Sequence, residues 1–388
     1  MARRIIICVI NDLETDQRVH KTAMTCRQSG LDTILVGRLT RRSRTLDPRP
    51  YRTRRFKLWF ERSALFYANY NIRLFLYLLA RPAHLLMAND LDTLPAVWLA
   101  SRFTGATVLY DSHEYFLEMP ELKNRKRVRG FWSLLEGFIF PKLEHVFTVN
   151  RSIARIYESQ YHKEVKVMRN VPYLHPSVPA ETGEEIPLPV AGHLLIYQGA
   201  GINRDRGAEE LVCAMGLLAP EEYFLLIVGS GDVFGSLRRM AADRGLEDRI
   251  RFIDRLPFGQ LSALTRKCQL GITLDKGTNL NYRFSLPNKL FDYIHAGIPV
   301  LASNLPEVSG IIEGYQVGTC VSEVTPEAIA AGIRFMFGDP ERYLGWKSNT
   351  SVAARELCWE QESKVLSGTL SLMEPGPGLG RKINSEKP

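Results

Sequence analysis

Residues 282–307 read YRFSLPNKLFDYIHAGIPVLASNLPE. Leu286, Leu290, Phe291 and Ile294 recur at helical spacing. Pro287 suits a first helical position because its missing N–H would be unpaired there anyway, and Gly297 is placed to stop the helix. Residues 298–301 then predict a short buried strand, closed by Asn304 and Pro306. The polar, exposed helix start offers backbone N–H groups and Lys289, an anion site in which helix dipole and cation act together. Asp292 lies three residues past Lys289 and four past Asn288, so all three share one helix face. That pattern suits a ligand with phosphates and sugar hydroxyls. A capped helix carrying a surface Lys–Asp pair fits the same spacing.

The helix-then-strand pattern recurs outward from this stretch in both directions. Toward the C-terminus, a helical pattern follows Pro326 to about Met373, broken at Gly338-Asp339-Pro340. Before it, residues 194–197, 223–228, 250–253 and 270–274 read as strands alternating with helices. Residues 170–193 hold prolines 172, 176, 179, 187 and 189 with little periodicity, which predicts an interdomain linker. In the first half, residues 4–10, 32–36, 85–88, 107–110, 146–149 and 165–167 read as strands. Helices are predicted from the polar loop at 11–21 to near Gly30, over 63–79, after Asp90 or Asp92, over about 131–143 and from Ser152. Alternation in both halves predicts an α/β protein of two doubly wound parallel-sheet domains. Ligands in such folds sit at the carboxyl ends of strands, here in a cleft that the two domains face. The expected domains are 1–180, 181–345, a C-terminal helix at 346–373 packing back on the first domain, and a disordered tail at 374–388.

Bulk composition supports this division. A chain of 388 residues is too long for one ordinary core, and 45% hydrophobic with 24% charged residues is globular. The six cysteines (8, 26, 213, 268, 320 and 358) are scattered without ligand spacing, which favours a reducing compartment over a disulfide or zinc framework. Arg3 and Arg4 precede an apolar run that ends at Asn11-Asp12, a pattern of a first strand and not of a leader peptide. Arg73 and Arg81 interrupt the longest apolar candidate for a membrane span. Residues 1–180 carry 29 Lys and Arg against 16 Asp and Glu, a net of +13; the remainder carries 21 against 26, a net of −5, giving the total of +8. Only the first half is basic, so its partner is expected to be acidic or membrane-bound.

Several loops carry chemistry. QGAGINRDRG (198–207) joins a strand to a helix; Gly199 and Gly201 permit close backbone approach and Arg206 stands at the helix start, as a diphosphate site requires. A flexible turn with a solvated arginine is the other reading. IVGSGD (227–232) has GxG without the third glycine of a dinucleotide fingerprint, so Gly229 and Gly231 read as a tight turn facing the cleft. DSHEYF (111–116) places His113 just past a strand, with Glu114 or Asp111 available to fix its ring. Residues 38–62 hold ten Lys or Arg against Asp47 and Glu61, with Tyr51, Phe56, Trp59 and Phe60 interleaved. With the leucine-rich helix that follows, this favours an anionic membrane surface over nucleic acid, because the apolar residues gather in one helix.

Taken in order, DQRVHK, DSHE, YQGAGINRDRG, LLIVGSGD, RIRFIDRLPF and SLPNKLFDYIHAGIPVLAS resemble the retaining GT-B glycosyltransferases of family 4 over most of the chain. The resemblance implies two Rossmann-like domains with a nucleoside-diphosphate sugar bound mainly by the second. It implies Arg206 and Lys289 at the diphosphate, the chain near Arg255 and Leu256 at the base, and Asp292 at the ribose. His113 would face the donor sugar, with Gly199, Gly201, Gly229, Ser285 and Asn288 lining the substrate. Asp12, Asp16, Arg18 and Glu114 would lie on the acceptor side. It implies no metal and no cofactor beyond the nucleotide-sugar co-substrate. Three positions depart from the family: Phe284 stands where its first glutamate falls, Ala200 where a basic residue is common, and Asp292 is one methylene short of the usual glutamate.

The function expected is transfer of a sugar to a glycan or lipid-linked acceptor in polysaccharide or glycolipid biosynthesis. The expected location is the cytoplasm or the inner face of a membrane, with no nucleic-acid partner. The alternatives are a catalytically silent GT-B binding protein and a nucleotide-sugar epimerase.

Overall fold

The computed structural model describes residues 3–373 except 15, 42, 120, 121, 123, 175–186, 190 and 191. The chain divides into two compact units. The first runs from the start of the chain to Val149, with Ala154–Met168 and the chain from Ser363; the second comprises Asn150–Ile153 and Arg169–Glu362. The expected tail at 374–388 lies outside the described residues.

The first unit is built on seven parallel strands: β1 (Arg4–Asp12), β2 (Asp32–Leu39), β3 (Arg52–Lys57), β4 (Leu85–Asn89), β5 (Thr107–Ser112), β6 (His145–Thr148) and β7 (Lys166–Val167). Their order is β3-β2-β1-β4-β5-β6-β7. Helices α1 (Gln17–Gln28), α2 (Ser63–Leu79), α3 (Leu94–Thr104), α4 (Lys126–Ile139) and α5 (Arg151–Tyr161) connect them. Residues 5–10 are all buried, as expected for a central strand covered on both faces. Right-handed crossovers fix the layers. The step β1-α1-β2 runs one way along the sheet, whereas those carrying α2, α3 and α4 run the other, so these three cover the face opposite α1.

The second unit has six parallel strands: β8 (His193–Gly199), β9 (Tyr223–Gly229), β10 (Ile250–Asp254), β11 (Leu270–Thr273), β12 (Val300–Ser303) and β13 (Gly318–Val321), ordered β10-β9-β8-β11-β12-β13. Its helices are α6 (Ala208–Met215), α7 (Phe234–Asp243), α8 (Phe258–Arg266), α9 (Leu280–Arg283), α10 (Asn288–Ala296), α11 (Pro306–Tyr315), α12 (Pro326–Phe337) and α13 (Pro340–Glu356). The last helix, α14 (Trp359–Leu372), begins here and groups with the first unit from Ser363. Along β8 the side chains alternate between two cores. Leu195 and Tyr197 join the one that includes α6, α7 and α12, and Leu194 and Ile196 the one that includes α10, α11 and α13.

Several sequence expectations change. The basic run at 38–62 contains an edge strand, β3, which period-2 reading missed because its exposed side chains are arginines. Strand β5 continues to Ser112, so Asp111 is a strand residue. Helix α4 starts at Lys126, ahead of the predicted start near Phe131. Strand β13 was not foreseen, and the C-terminal helical pattern breaks a second time between Glu356 and Trp359. The described start of the expected linker is not solvated: Val171 is fully buried in a core of the second unit, and Trp359 N–H donates to Pro172 O at 2.8 Å.

Two glycines let neighbouring loops touch. Gly229, at φ 143°, pairs in register with Gly199, and a Cβ there would stand 1.8 Å from Gly199 O. A Cβ on Gly231 would stand 2.0 Å from Ile202 O. Their requirement is backbone packing between the turns after β8 and β9, which adds a packing role to the tight turn that the sequence predicted. Gly229→Ala is expected to destabilise the protein by more than about 3 kcal/mol. Gly235→Ala, in α7 with open space around the added Cβ, should be neutral or stabilising by up to about 1 kcal/mol. Urea unfolding of the two variants checks both.

Candidate functional site

In the second unit the strand order reverses between β8 and β11, the switch point where parallel sheets open a crevice at their carboxyl ends. Helix α10 plugs into that point. Pro287 is its extended N-cap, Asn288 its first residue, and Gly297 caps its end at φ 76°. Tyr293 is fully buried, and its hydroxyl accepts from Gln198 N–H on β8 and donates to Ile272 O on β11, both at 3.1 Å. Gly271 makes room for that ring, since a Cβ there would come within 2.2 Å of it.

Around this anchor the structure gathers three charges. Asp275, 1% exposed and just past β11, accepts from Arg206 Nη1 at 2.5 Å and faces Lys289 Nζ at 3.8 Å. Arg206 reaches it because Gly207, at φ 74°, lets its loop lie against Leu274, whose carbonyl would be 2.4 Å from a Cβ. Tyr197 supports both cations: its hydroxyl donates to Arg206 O at 2.7 Å, and Lys289 Nζ sits 4.2 Å from its ring centroid. The Arg206 guanidinium lies 4.3 Å from the centroid of Tyr282. Burial lowers the pKa of Lys289, partly offset by Asp275, whereas for Arg206 burial is outweighed by the charges of Asp275 and Tyr282 and the hydrogen bond to Asp275 acting together, so its pKa is raised. The cluster is only partly satisfied: Asp275 Oδ1, Arg206 Nε and Ser285 Oγ are buried without hydrogen-bond partners. Two cations against one carboxylate leave a net positive pocket with unused donors, suited to an anion with several acceptor oxygens.

The other predicted residues of this unit divide. Asp292 Oδ2 accepts from Gln198 Nε2 at 3.2 Å, and Gln198 Oε1 accepts from Thr265 Oγ1 at 2.8 Å. Tyr173, Gln198, Phe258, Thr265, Asp292 and His295 help to line one depression of about 440 Å³, open solvent included. Asn288 is exposed and meets Asn170 at 3.1 Å, so it does not share the inward face of Lys289. Lys289 itself is not the exposed helix-start cation the sequence predicted; its side chain is 12% exposed. Arg255 is exposed at the end of β10, and Leu256 packs against a core. Gly199 and Gly201 have ordinary space around them, with nearest atoms at 3.5 Å. Asp275 was missed. The only signal for it was a lone carboxylate closing the apolar run LGITL.

The first unit holds a second buried cluster. Arg18 forms a two-pronged pair with Asp111, Nε–Oδ2 3.0 Å and Nη2–Oδ1 2.6 Å, and donates to Met168 O at 2.9 Å. His113 lies between carboxylates, Nε2 3.2 Å from Asp111 and Nδ1 3.3 Å from Asp90, while its backbone N–H donates to Asp90 Oδ1. Asp90 takes a left-handed φ of 62° at the end of β4, a conformation aspartate tolerates. Arg18, expected toward an acceptor, is 4% exposed and committed to Asp111. Asp111 fixes the histidine ring, and Asp90 does so unforeseen; the backbone carbonyl of Glu114 accepts from Ser112 Oγ. Asp16 caps α1 through Val19 N–H, and Asp12 accepts from Ser43 and Arg55. Among the described residues no group of three or more His, Cys, Asp or Glu is placed to hold a metal ion.

Two parallel-sheet Rossmann-like units define the GT-B fold class, and the solved structures agree. Sucrose-phosphate synthase from Thermosynechococcus elongatus superposes with a TM-score of 0.74 at 16% identity, covering 95% of this chain and 98% of that one. Anabaena HepE, solved with UDP, gives 0.69 at 13% identity over 95% and 100% of the two chains. WaaG, a glycosyltransferase of lipopolysaccharide biosynthesis, gives 0.66 at 15% over 94% and 100%. Residues 187–352, which lie within the second unit, match the family model described as Glycosyl transferases group 1. No curated protein sequence matches the chain.

Two outcomes test these clusters. Tyr293→Phe leaves Gln198 N–H and Ile272 O unpaired at the switch point and should cost about 1–3 kcal/mol in urea unfolding. His113 is the pH-sensitive group. Burial opposes its charge, but Asp90 and Asp111 outweigh burial and raise its pKa from 6.5 to about 9. Because the folded pKa is raised, its stabilisation is fully present below 6.5 and lost as pH rises through about 9. The stability gap between the parent and His113→Gln should therefore shrink over that window.

Proposed function

We propose that the protein is a glycosyltransferase that moves a sugar from a nucleoside-diphosphate sugar to a glycan or lipid-linked acceptor. The observation that carries this reading is the Arg206–Asp275–Lys289 cluster, where buried cationic donors stand partly unsatisfied at the switch point of a glycosyl transferases group 1 domain. The anomeric C–O bond breaks with its electron pair left on the β-phosphate oxygen, an acceptor hydroxyl oxygen bonds to the anomeric carbon, and the hydroxyl proton leaves on the departing phosphate. Arg206 and Lys289 take up that charge in place of Asp275, and no metal is required. Asp292, held by Gln198, accepts from ribose hydroxyls, and the chain at Arg255 and Leu256 meets the base. Gly199, Gly201 and Gly229 let backbone approach the phosphates, and Ser285 Oγ supplies a donor.

His113 acts as a positioning residue. Held cationic by two carboxylates, it would fix the 111–116 loop from within its own unit. Asp12, Asp16 and Glu114 serve the acceptor side. The family resemblance supports retention of configuration and a role in polysaccharide or glycolipid synthesis. Six free cysteines fit a cytoplasmic setting. HepE crystals with UDP and UDP-glucose make uridine nucleotides the first donors to test.

Phe284 favours a second reading, a silent binding protein: it is half-buried where the family places its first glutamate, and its carbonyl accepts from Asn150 Nδ2 at 2.7 Å. Thermal shift and donor hydrolysis with UDP-, GDP-, dTDP- and ADP-sugars separate the possibilities. One nucleotide should stabilise the protein, and Arg206→Ala or Lys289→Ala should lower turnover about 100-fold or more. Stabilisation without turnover selects the binding protein, and interconversion of the free donor without acceptor selects an epimerase. Absence of any nucleotide effect, or an unchanged effect in Arg206→Ala, overturns the proposal.

A further inference from the structure

Helices α2, α3 and α4 turn apolar side chains outward. On α2, Leu65, Ile72, Leu76 and Leu79 form an exposed stripe at helical spacing, while Phe66, Tyr70, Leu74 and Leu78 face the sheet. On α3, Leu99 and Phe103 are exposed one turn apart, Phe103 by 70%. Helix α4 is inverted. Val128, Phe131, Leu134 and Phe138 point to solvent, Leu134 by 72%, whereas its carboxylate Glu136 is fully buried and accepts from the Tyr161 hydroxyl at 2.7 Å. Ring contacts join the stripes laterally: Phe75 to Phe103 at 5.9 Å between α2 and α3, and Trp98 to Phe138 at 5.5 Å between α3 and α4. The three stripes thus form one continuous patch on one face of the sheet, of the kind that marks an interaction surface.

Charge selects the partner. Glu136 is the only acidic residue in the three helices and it is buried, so the patch presents no carboxylate from them. Its cations are Arg73 and Arg102 on the helices, Lys142 with its Nζ over the Phe138 ring, and exposed Arg125, Lys126 and Arg127. The last three stand at the start of α4, the end where the helix dipole disfavours positive charge, so an anionic layer would relieve them. Two copies of such a face would oppose cation to cation, which argues against self-association across a two-fold axis. Among the described residues no helix is long and apolar enough to cross a membrane.

We propose that the outer face of α2, α3 and α4 is a peripheral docking surface for an anionic lipid bilayer. The apolar stripes sit at headgroup depth and the arginines and lysines contact lipid phosphates. The structure shifts this surface from where the sequence put it. In the run at 38–62, Tyr51 and Phe56 are core residues and Arg52–Lys57 is strand β3, while Trp59 stays 78% exposed under the Arg73 guanidinium.

Co-sedimentation of the full chain tests this without reference to sugar transfer. Vesicles of phosphatidylglycerol with phosphatidylcholine should pellet the protein, vesicles of phosphatidylcholine alone should not, and added salt should release it. Phe131→Asp with Leu134→Asp, and separately a triple change of Arg125, Lys126 and Arg127 to Glu, should each lower the bound fraction about tenfold. Both variants should keep the parent's thermal unfolding and nucleotide-induced shift. Equal recovery in the supernatant with and without anionic vesicles overturns the proposal. So does binding that both folded variants retain, or a dimer in size-exclusion chromatography that Leu134→Asp dissociates.

Discussion

The second unit depends on one hydroxyl group. At the switch point β8 and β11 pair only through Leu195 and Ile196 before they diverge. The Tyr293 hydroxyl takes over where the ladder stops, bonding Gln198 N–H on one strand and Ile272 O on the other. A buried backbone group without a partner is costly, so this side chain lets two strands part without leaving orphans. It also sets the depth of α10. Once Tyr293 is seated between the strands, Lys289 one turn earlier reaches Asp275, and Asp292 beside it reaches Gln198. The residues proposed to meet the nucleotide sugar are therefore placed by a packing contact outside the proposed site.

Electrostatics in the two units follow opposite designs. In the first unit Arg18, Asp111, His113 and Asp90 form a closed chain in which each charged group has an opposite partner. Such a chain is rigid and resists exchange with a ligand, which suits positioning. In the second unit Asp275 serves two cations and leaves donors unused. Desolvation strengthens the field of those cations, and the carboxylate balances part of their charge without saturating them. Replacement of one carboxylate by a diphosphate is the exchange such an arrangement favours. Phe284 and Ala200 remove polar groups elsewhere in the same unit, so the part proposed to meet phosphate is better equipped than the part proposed to meet the sugar.

The outward stripes of α2, α3 and α4 stand apart from both clusters. Burying Glu136 while exposing Leu134 reverses the usual partition, and the arrangement persists because the opposite face of α4 packs through Trp132 and Ile139. Under the proposed function, an acceptor carried in a bilayer would give a reason for such a face.

Sequence alone determined the elements whose logic is local. The strand and helix alternation, the exact span of α2 and the stop of α10 at Gly297 follow from periodicity, caps and turn residues. Lys289 and Arg206 were legible because a cation at a helix start has meaning within a few residues. Tertiary structure alone decided the partners. Arg206 meets Asp275 across 69 residues and Arg18 meets Asp111 across 93, distances at which no spacing rule operates. It moved Arg18 from an acceptor contact to a buried pair, found β3 within a run of arginines, and gave Gly229 and Gly231 a packing role. Periodicity reports which face of an element is apolar. Only the assembled sheet decides whether that face meets a core, a charge, or, as on α4, the solvent.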